Sequence, residues 1–185
     1  GIGMQAGDVI TAIDGASVTT TAALGDRLMQ KAGQQVRIDF LRGSTALTRI
    51  VVPASRGEES TLLYNDWVQH NREAVATASG GKVGYLHLRA MGAADAASFA
   101  RDYFEHYDKE GLVIDVRGNR GGNIDSWIIG TLLRRVWAFW PSANGTGPAT
   151  TNMQQTFRGH LAILIDEGTY SDGETFAAGV KALDL

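Results

Sequence analysis

H-L-A-I-L-I-D-E-G-T-Y-S-D-G-E-T-F-A-A-G-V, residues 160–180, joins an apolar run, a polar turn carrying one serine, and a small-residue segment with helical spacing. The apolar residues 161–165 are too few for a helix and suit a strand buried on both faces. Asp166, Glu167 and Gly168 end that strand, and Phe176, Ala177, Val180 and Leu183 then recur at helical spacing. The pattern predicts strand, elbow, helix, with Ser171 at the helix mouth. There the free N–H groups of the first helical turn face any negative charge forming beside the hydroxyl, which is what an acyl-transfer nucleophile needs. The same letters also write an ordinary helix cap, because Glu174 follows Ser171 at capping-box distance.

A second stretch has the same grammar. Residues 111–123, G-L-V-I-D-V-R-G-N-R-G-G-N, read as a buried strand ending in a glycine-rich loop, with a helix over 124–136. Two strand-loop-helix units delivering unpaired N–H groups at one edge of a sheet can form an oxyanion hole around one serine. The loop could instead cradle a phosphate. It lacks, however, the lysine and hydroxyl of a P-loop and the spacing of a dinucleotide fingerprint.

D-V-R-x-N-x-G-G at 115–122, followed about fifty residues later by Y-S-D-G-E at 170–174, resembles the tricorn branch of the tail-processing serine peptidases. The resemblance extends to V-G-Y-L-H-L-R-A-M at 83–91 and to G-D-V-I-T-A-I-D-G at 7–15, which looks like a PDZ module. It implies an α/β fold: a partial PDZ-like β module at 1–53, a linker and bridging helix at 54–81, and a crotonase-like catalytic core with a parallel sheet at 82–185. It assigns Ser171 as nucleophile and the backbone N–H groups of Gly122 and Asp172, with Gly121 as a further candidate, as the oxyanion hole. The family's base, a histidine preceded by serine, is expected ahead of the PDZ module, and its glutamate after the elbow helix. Both lie outside these residues, so the isolated chain is expected to be inactive. Arg120 stands where the family often has a third glycine. The tricorn enzyme's acidic selector falls near Phe139 or Trp140, and aromatic residues there imply a substrate pocket for apolar or aromatic side chains. The implied partner is a peptide or unfolded-protein substrate. Retinoid-binding modules resemble the same core, which keeps a non-catalytic binding module open as the alternative.

Composition sets outer bounds. Of 185 residues 44% are hydrophobic, enough to build a core, and the net charge of −3 with no basic run gives no general attraction to nucleic acid. No apolar stretch approaches the roughly 20 residues of a membrane-spanning helix. Without cysteine there is no disulfide, thiol nucleophile or cysteine-ligated metal, and no other cluster has metal-ligand spacing, so no cofactor is expected. The compartment stays open, bacterial cytoplasm and periplasm alike.

Along the chain, strands are expected at 8–13, 35–41 and 47–52, with turns at Asp14-Gly15 and 42–44 and a helix at 19–31. A polar connector at 53–60 leads to a helix at 64–78, stopped by Gly80-Gly81. Residues 1–3 sit too close to Gly7-Asp8 to be a carboxylate-binding loop. A strand at 82–88, a helix at 93–107 burying Phe99, Tyr103 and Phe104, and a strand at 112–116 imply parallel pairing. Residues 141–152 form a polar loop suited to a mobile flap, and the aromatic patch Trp137, Phe139 and Trp140 leaves room for a homo-oligomer. Of the four histidines, His87 is expected in a strand, His70 and His106 on helix surfaces, and His160 at the strand end opposite Ser171.

Overall fold

The computed structural model describes residues 3–147 and 149–185. Gly1, Ile2 and Pro148 lie outside the described residues, and with them most of the reading of residues 1–3. The chain forms two compact units, Gly1–Asn65 and Asp66–Leu185.

In the first unit β1 (Val9–Ile13), β2 (Ala16–Ser17), β3 (Val36–Arg42) and β4 (Thr45–Val51) form an antiparallel sheet in the order β2-β1-β3-β4. Asp14 and Gly15, both at positive φ, make the two-residue turn between β1 and β2. Alternate residues Val36, Ile38 and Phe40 face the core, where Leu24 and Leu28 of α1 (Thr21–Leu28) pack against it. Thr20 caps α1 through the Ala23 N–H, and the helix ends three residues before the expected 31, because Met29 is already extended and Gln30 is at φ 60°.

Helix α2 (Arg56–Ala78) begins eight residues before the expected 64. Ser55 and Glu58 form a capping box that converts most of the supposed connector into helix: the Ser55 N–H donates to Glu58 Oε2 (2.7 Å) and the Glu58 N–H to Ser55 Oγ (3.3 Å). Gly80 and Gly81 return their N–H groups to Thr77 and Ala76 and stop the helix as expected. Among the described residues no helix is long and apolar enough to cross a membrane.

The second unit holds a parallel sheet in the order β5-β6-β9, with β5 (Val83–His87), β6 (Gly111–Asp115) and β9 (His160–Leu164) in flush register from Val83–Gly111–His160 to His87–Asp115–Leu164. All three strands therefore leave the sheet at one edge, into the 88–92 segment, the glycine-rich loop and the serine elbow. Helices α3 (Ala93–His106), α4 (Asp125–Leu132) and α5 (Asp172–Ala182) follow them. Leu86, Leu112, Ile114, Phe99, Ile128 and Phe176 share one core, and fully burying such side chains contributes about 1.5–3 kcal/mol each.

Four expectations need correction here. Phe104 is exposed: it follows Tyr103 by one residue and so points about 100° away from the stripe of Phe99, Tyr103 and His106 that faces the sheet. His106 is buried rather than on the surface, because Gly84 opposite it has no side chain; a Cβ there would lie 2.5 Å from the histidine's Cβ. β9 is buried on one face only: Leu161 and Ile163 pack against the core while Ala162 and Leu164 are exposed, and no described strand pairs with its outer edge. The segment after α4 is not wholly loop, as β7 (Phe139–Trp140) pairs antiparallel with β8 (Thr150–Thr151).

Candidate active site

The glycine-rich loop is built by the side chains of its own motif. Asp115, fully buried, accepts from Tyr85 Oη (2.7 Å) and from Arg117 through Nε, Nη2 (2.6 Å) and the backbone N–H. Burial works against the Asp115 charge, but these donors together hold its pKa below the ordinary carboxylate value. Tyr85 shifts upward, by burial first and then by the neighbouring carboxylate, and stays a hydroxyl donor. Asn119, also fully buried, donates to the Leu88 carbonyl (2.7 Å) and accepts the Gly121 N–H (2.8 Å). The loop is then stitched to the 88–92 segment: Met91 N–H to Gly121 O (2.8 Å) and Asn123 N–H to Met91 O (2.9 Å). Gly122 must be glycine, since a Cβ there would collide with the Met91 carbonyl. Arg120 is exposed and leaves the loop uncrowded.

The elbow is tied to that loop from the strand side. Asp166 Oδ1 accepts from Gly118 N (2.8 Å) and Gly168 N (3.0 Å), bonds that hold its pKa low. Thr169 Oγ1 donates to the Val116 carbonyl (2.9 Å), and the Tyr170 N–H to the Asn119 carbonyl (2.9 Å). Ser171 follows at φ 55°, ψ −118°. That backbone departs from the geometry of a serine cap. A capping serine has extended backbone and turns its hydroxyl onto the N2 or N3 amide; here the Glu174 N–H goes to the Ser171 carbonyl (2.9 Å) and the hydroxyl makes no capping bond. Only the glutamate half of the box forms, Glu174 Oε2 accepting the Ser171 N–H at 2.7 Å. An exposed serine at positive φ on a strand-to-helix turn is the arrangement of a nucleophile elbow.

The two loops meet at this serine. A Cβ on Gly121 would lie 2.7 Å from Ser171 Cβ and 3.2 Å from its Oγ. Among the described residues nothing accepts the N–H of Gly122 or of Asp172. The third amide considered, that of Gly121, is taken by Asn119, so Gly121 serves through its lack of a side chain.

The four histidines have other settings among the described residues. His87 Nε2 donates to the Arg117 carbonyl (3.1 Å), its ring is edge-on to Trp67 at 4.9 Å, and burial pushes its pKa down. His106 is 5% exposed, with both ring nitrogens unpartnered and its pKa lowered by burial. His70 is exposed on α2, and His160 begins β9 at the far end of the sheet. Phe139 and Trp140 are exposed and line two separate cavities, of about 420 Å³ and 940 Å³. The residues framing these include Phe157 and Gly159, which precede β9, and Tyr107 and Asp108, which precede β6; neither cavity includes Ser171. Among the described residues no group of three acidic or histidine side chains could hold a metal ion.

A model of Peptidase family S41 matches residues 82–185, the span of this sheet and both loops, and a PDZ domain model matches residues 2–42. The chain belongs to peptidase family S41. It is 34% identical over 185 residues to Tricorn protease homolog 1 of Streptomyces coelicolor, covering all of this chain and 17% of that one. It is 31% identical over 180 residues to the Tricorn protease of Thermoplasma acidophilum, covering 97% of this chain and 16% of that one. The crystal structure of the tricorn protease superposes with a TM-score of 0.81 at 28% identity, over 96% of this chain and 17% of that one. The S41 chain thus spans only 16–21% of the curated relatives it matches.

Three features of the S41 core were not assigned from sequence. The Tyr85–Asp115–Arg117 network, the double role of Asn119 and the contacts of the Asp166 carboxylate each include a partner 30 to 48 residues away. Their local signal was the D-V-R-x-N motif itself, whose polar letters at the end of an apolar strand must be satisfied internally.

Proposed function

We propose that these 185 residues carry the nucleophile and oxyanion half of a serine peptidase that cleaves peptides through an acyl-enzyme. The observation that carries the reading is the backbone of Ser171, held at φ 55° with Gly121 against its side chain and two acceptor-free amides, Gly122 and Asp172, on the loops that meet there. In this reading the Ser171 hydroxyl attacks the scissile carbonyl, its proton passes to a base, and the carbonyl oxygen, becoming an anion, is received by the two amides. Return of the proton to the leaving amine completes acylation, and water then releases the acyl group by the same steps.

The base is supplied from outside these residues. His87, His106, His70 and His160 each have another setting, described above, and a serine without a positioned base stays protonated and weakly nucleophilic. The isolated chain is therefore expected to react poorly with a fluorophosphonate probe, and the complete protein to react well. Replacing Ser171 by alanine in the complete protein and assaying short peptides tests the reading: loss of turnover with the fold intact supports it, and undiminished turnover rejects it in favour of a binding module.

A further inference from the structure

The helix that follows the glycine-rich loop has no cap of its own. Ile124 occupies its N-cap position, and an isoleucine side chain can accept nothing. The acceptor comes from 47–48 residues further along the chain: Asp172 Oδ2 takes the N–H of Ile124 at 2.9 Å and of Asp125 at 3.2 Å. Asp172 is also the first residue of α5. One carboxylate thus stands at the amino termini of two helices, where both dipoles favour its negative charge.

We propose that Asp172 is a positioning residue that fixes the span between the two free amides through its side chain. The inference rests on the reading of Ser171 as nucleophile. One of those amides belongs to Asp172 itself; the other, Gly122, lies two residues before Ile124. The path between them runs from the Asp172 backbone through its carboxylate to Ile124 N and back along Asn123, whose own N–H is fixed on the Met91 carbonyl at 2.9 Å. The hydrogen bonds that Asp166, Thr169 and Tyr170 make to the glycine-rich loop all lie on the strand side of Ser171. The Asp172 bonds tie the loops on the helix side, where both donors are. Without that carboxylate, α4 loses its cap and Gly122 is held from one side only. A donor displaced by about 1 Å gives up much of the roughly 10²–10³-fold that one oxyanion donor contributes to turnover.

The test compares Asp172→Ala, Asp172→Glu and Asp172→Asn in the complete protein, measuring kcat and KM on a short peptide and affinity for a peptide boronate, which mimics the tetrahedral state. Glutamate keeps the charge but lengthens the reach by a methylene, so it separates position from charge and serves if the alanine variant does not fold. Alanine and glutamate are each expected to lower kcat at least about tenfold with KM within about threefold, and to weaken boronate binding in parallel. Asparagine, whose amide oxygen accepts the same two N–H groups, is expected to retain kcat within about threefold. A folded glutamate or alanine variant with kcat within about twofold of the parent, or a loss confined to KM, overturns the proposal. Either result alongside an inactive Ser171→Ala leaves the nucleophile reading standing, whereas full turnover by Ser171→Ala removes that reading first.

Discussion

Replacing Gly121 by alanine puts one methyl group 2.7 Å from the Cβ of Ser171 and 3.2 Å from its Oγ. Carbon atoms rest at about 3.5–4.0 Å, so one of the two residues must move by about 1 Å. Gly121 has little freedom to yield: its N–H is on Asn119, its carbonyl accepts from Met91, and its own φ of 76° costs an alanine about 1–2 kcal/mol. The serine therefore moves, and about 1 Å of misplacement at a reacting atom lowers turnover by about 10². Gly118→Ala is the matched control, because its φ of 64° carries the same backbone cost while a Cβ there meets nothing within 4 Å. The assay is kcat/KM on a short peptide in the complete protein, with thermal unfolding of both variants. A stability loss in Gly121→Ala at least as large as in Gly118→Ala, with a rate loss of about 10² in Gly121→Ala alone, is expected. Gly121→Ala at near-parental rate, or a matching rate loss in Gly118→Ala, would refute the argument.

Three further outcomes follow from the packing. Tyr85→Phe removes one donor from the buried Asp115 carboxylate and should cost about 1.5–3 kcal/mol in urea unfolding; an unchanged midpoint would mean that Arg117 alone satisfies Asp115. Gly84→Ala drives a methyl into His106 and should destabilise by about 1–3 kcal/mol without touching the serine loops, read as a lowered melting temperature. His106, lowered by burial and flanked by Glu105, Lys109 and Arg72, binds its proton less readily folded than unfolded. Its contribution is complete above the ordinary value near 6.5 and is lost as pH falls toward the folded pKa, by up to about 1.4 kcal/mol per pH unit. His106→Leu should flatten that acid slope, and urea midpoints with an unchanged slope between about pH 6.5 and 5 would contradict it.

What the sequence disclosed and what it withheld divide along contact range. The strand-loop-helix order, the parallel sheet and the place of Ser171 depended on apolar runs and glycines within ten residues of one another, and these were legible. The positive φ of Ser171 was not, because S-D-G-E writes a cap and an elbow with the same letters; the turn is held by the Asn119 and Asp166 bonds to a loop about fifty residues away. The Asp172 carboxylate escaped notice for the same reason, as its partners lie on α4. His106 was misplaced because nothing beside it in sequence announces that Gly84 clears a space across the sheet. The start of α2 was a different failure: Ser55 and Glu58 do spell a capping box, but Pro53 and Gly57 made the segment look like a connector.

The half-covered β9 has a practical consequence for anyone handling this segment alone. Its outer margin is a row of backbone donors and acceptors along L-A-I-L-I, and residues 161–165 contain no lysine, proline or charge of the kind that discourages a second strand from docking. Ile165, 60% exposed, extends the greasy strip beyond the strand. Such an edge is a template for copies of itself. Sample concentration and storage time will therefore govern whether the isolated segment stays monodisperse, and a lysine in place of the outward-facing Ala162 is the least intrusive way to protect it.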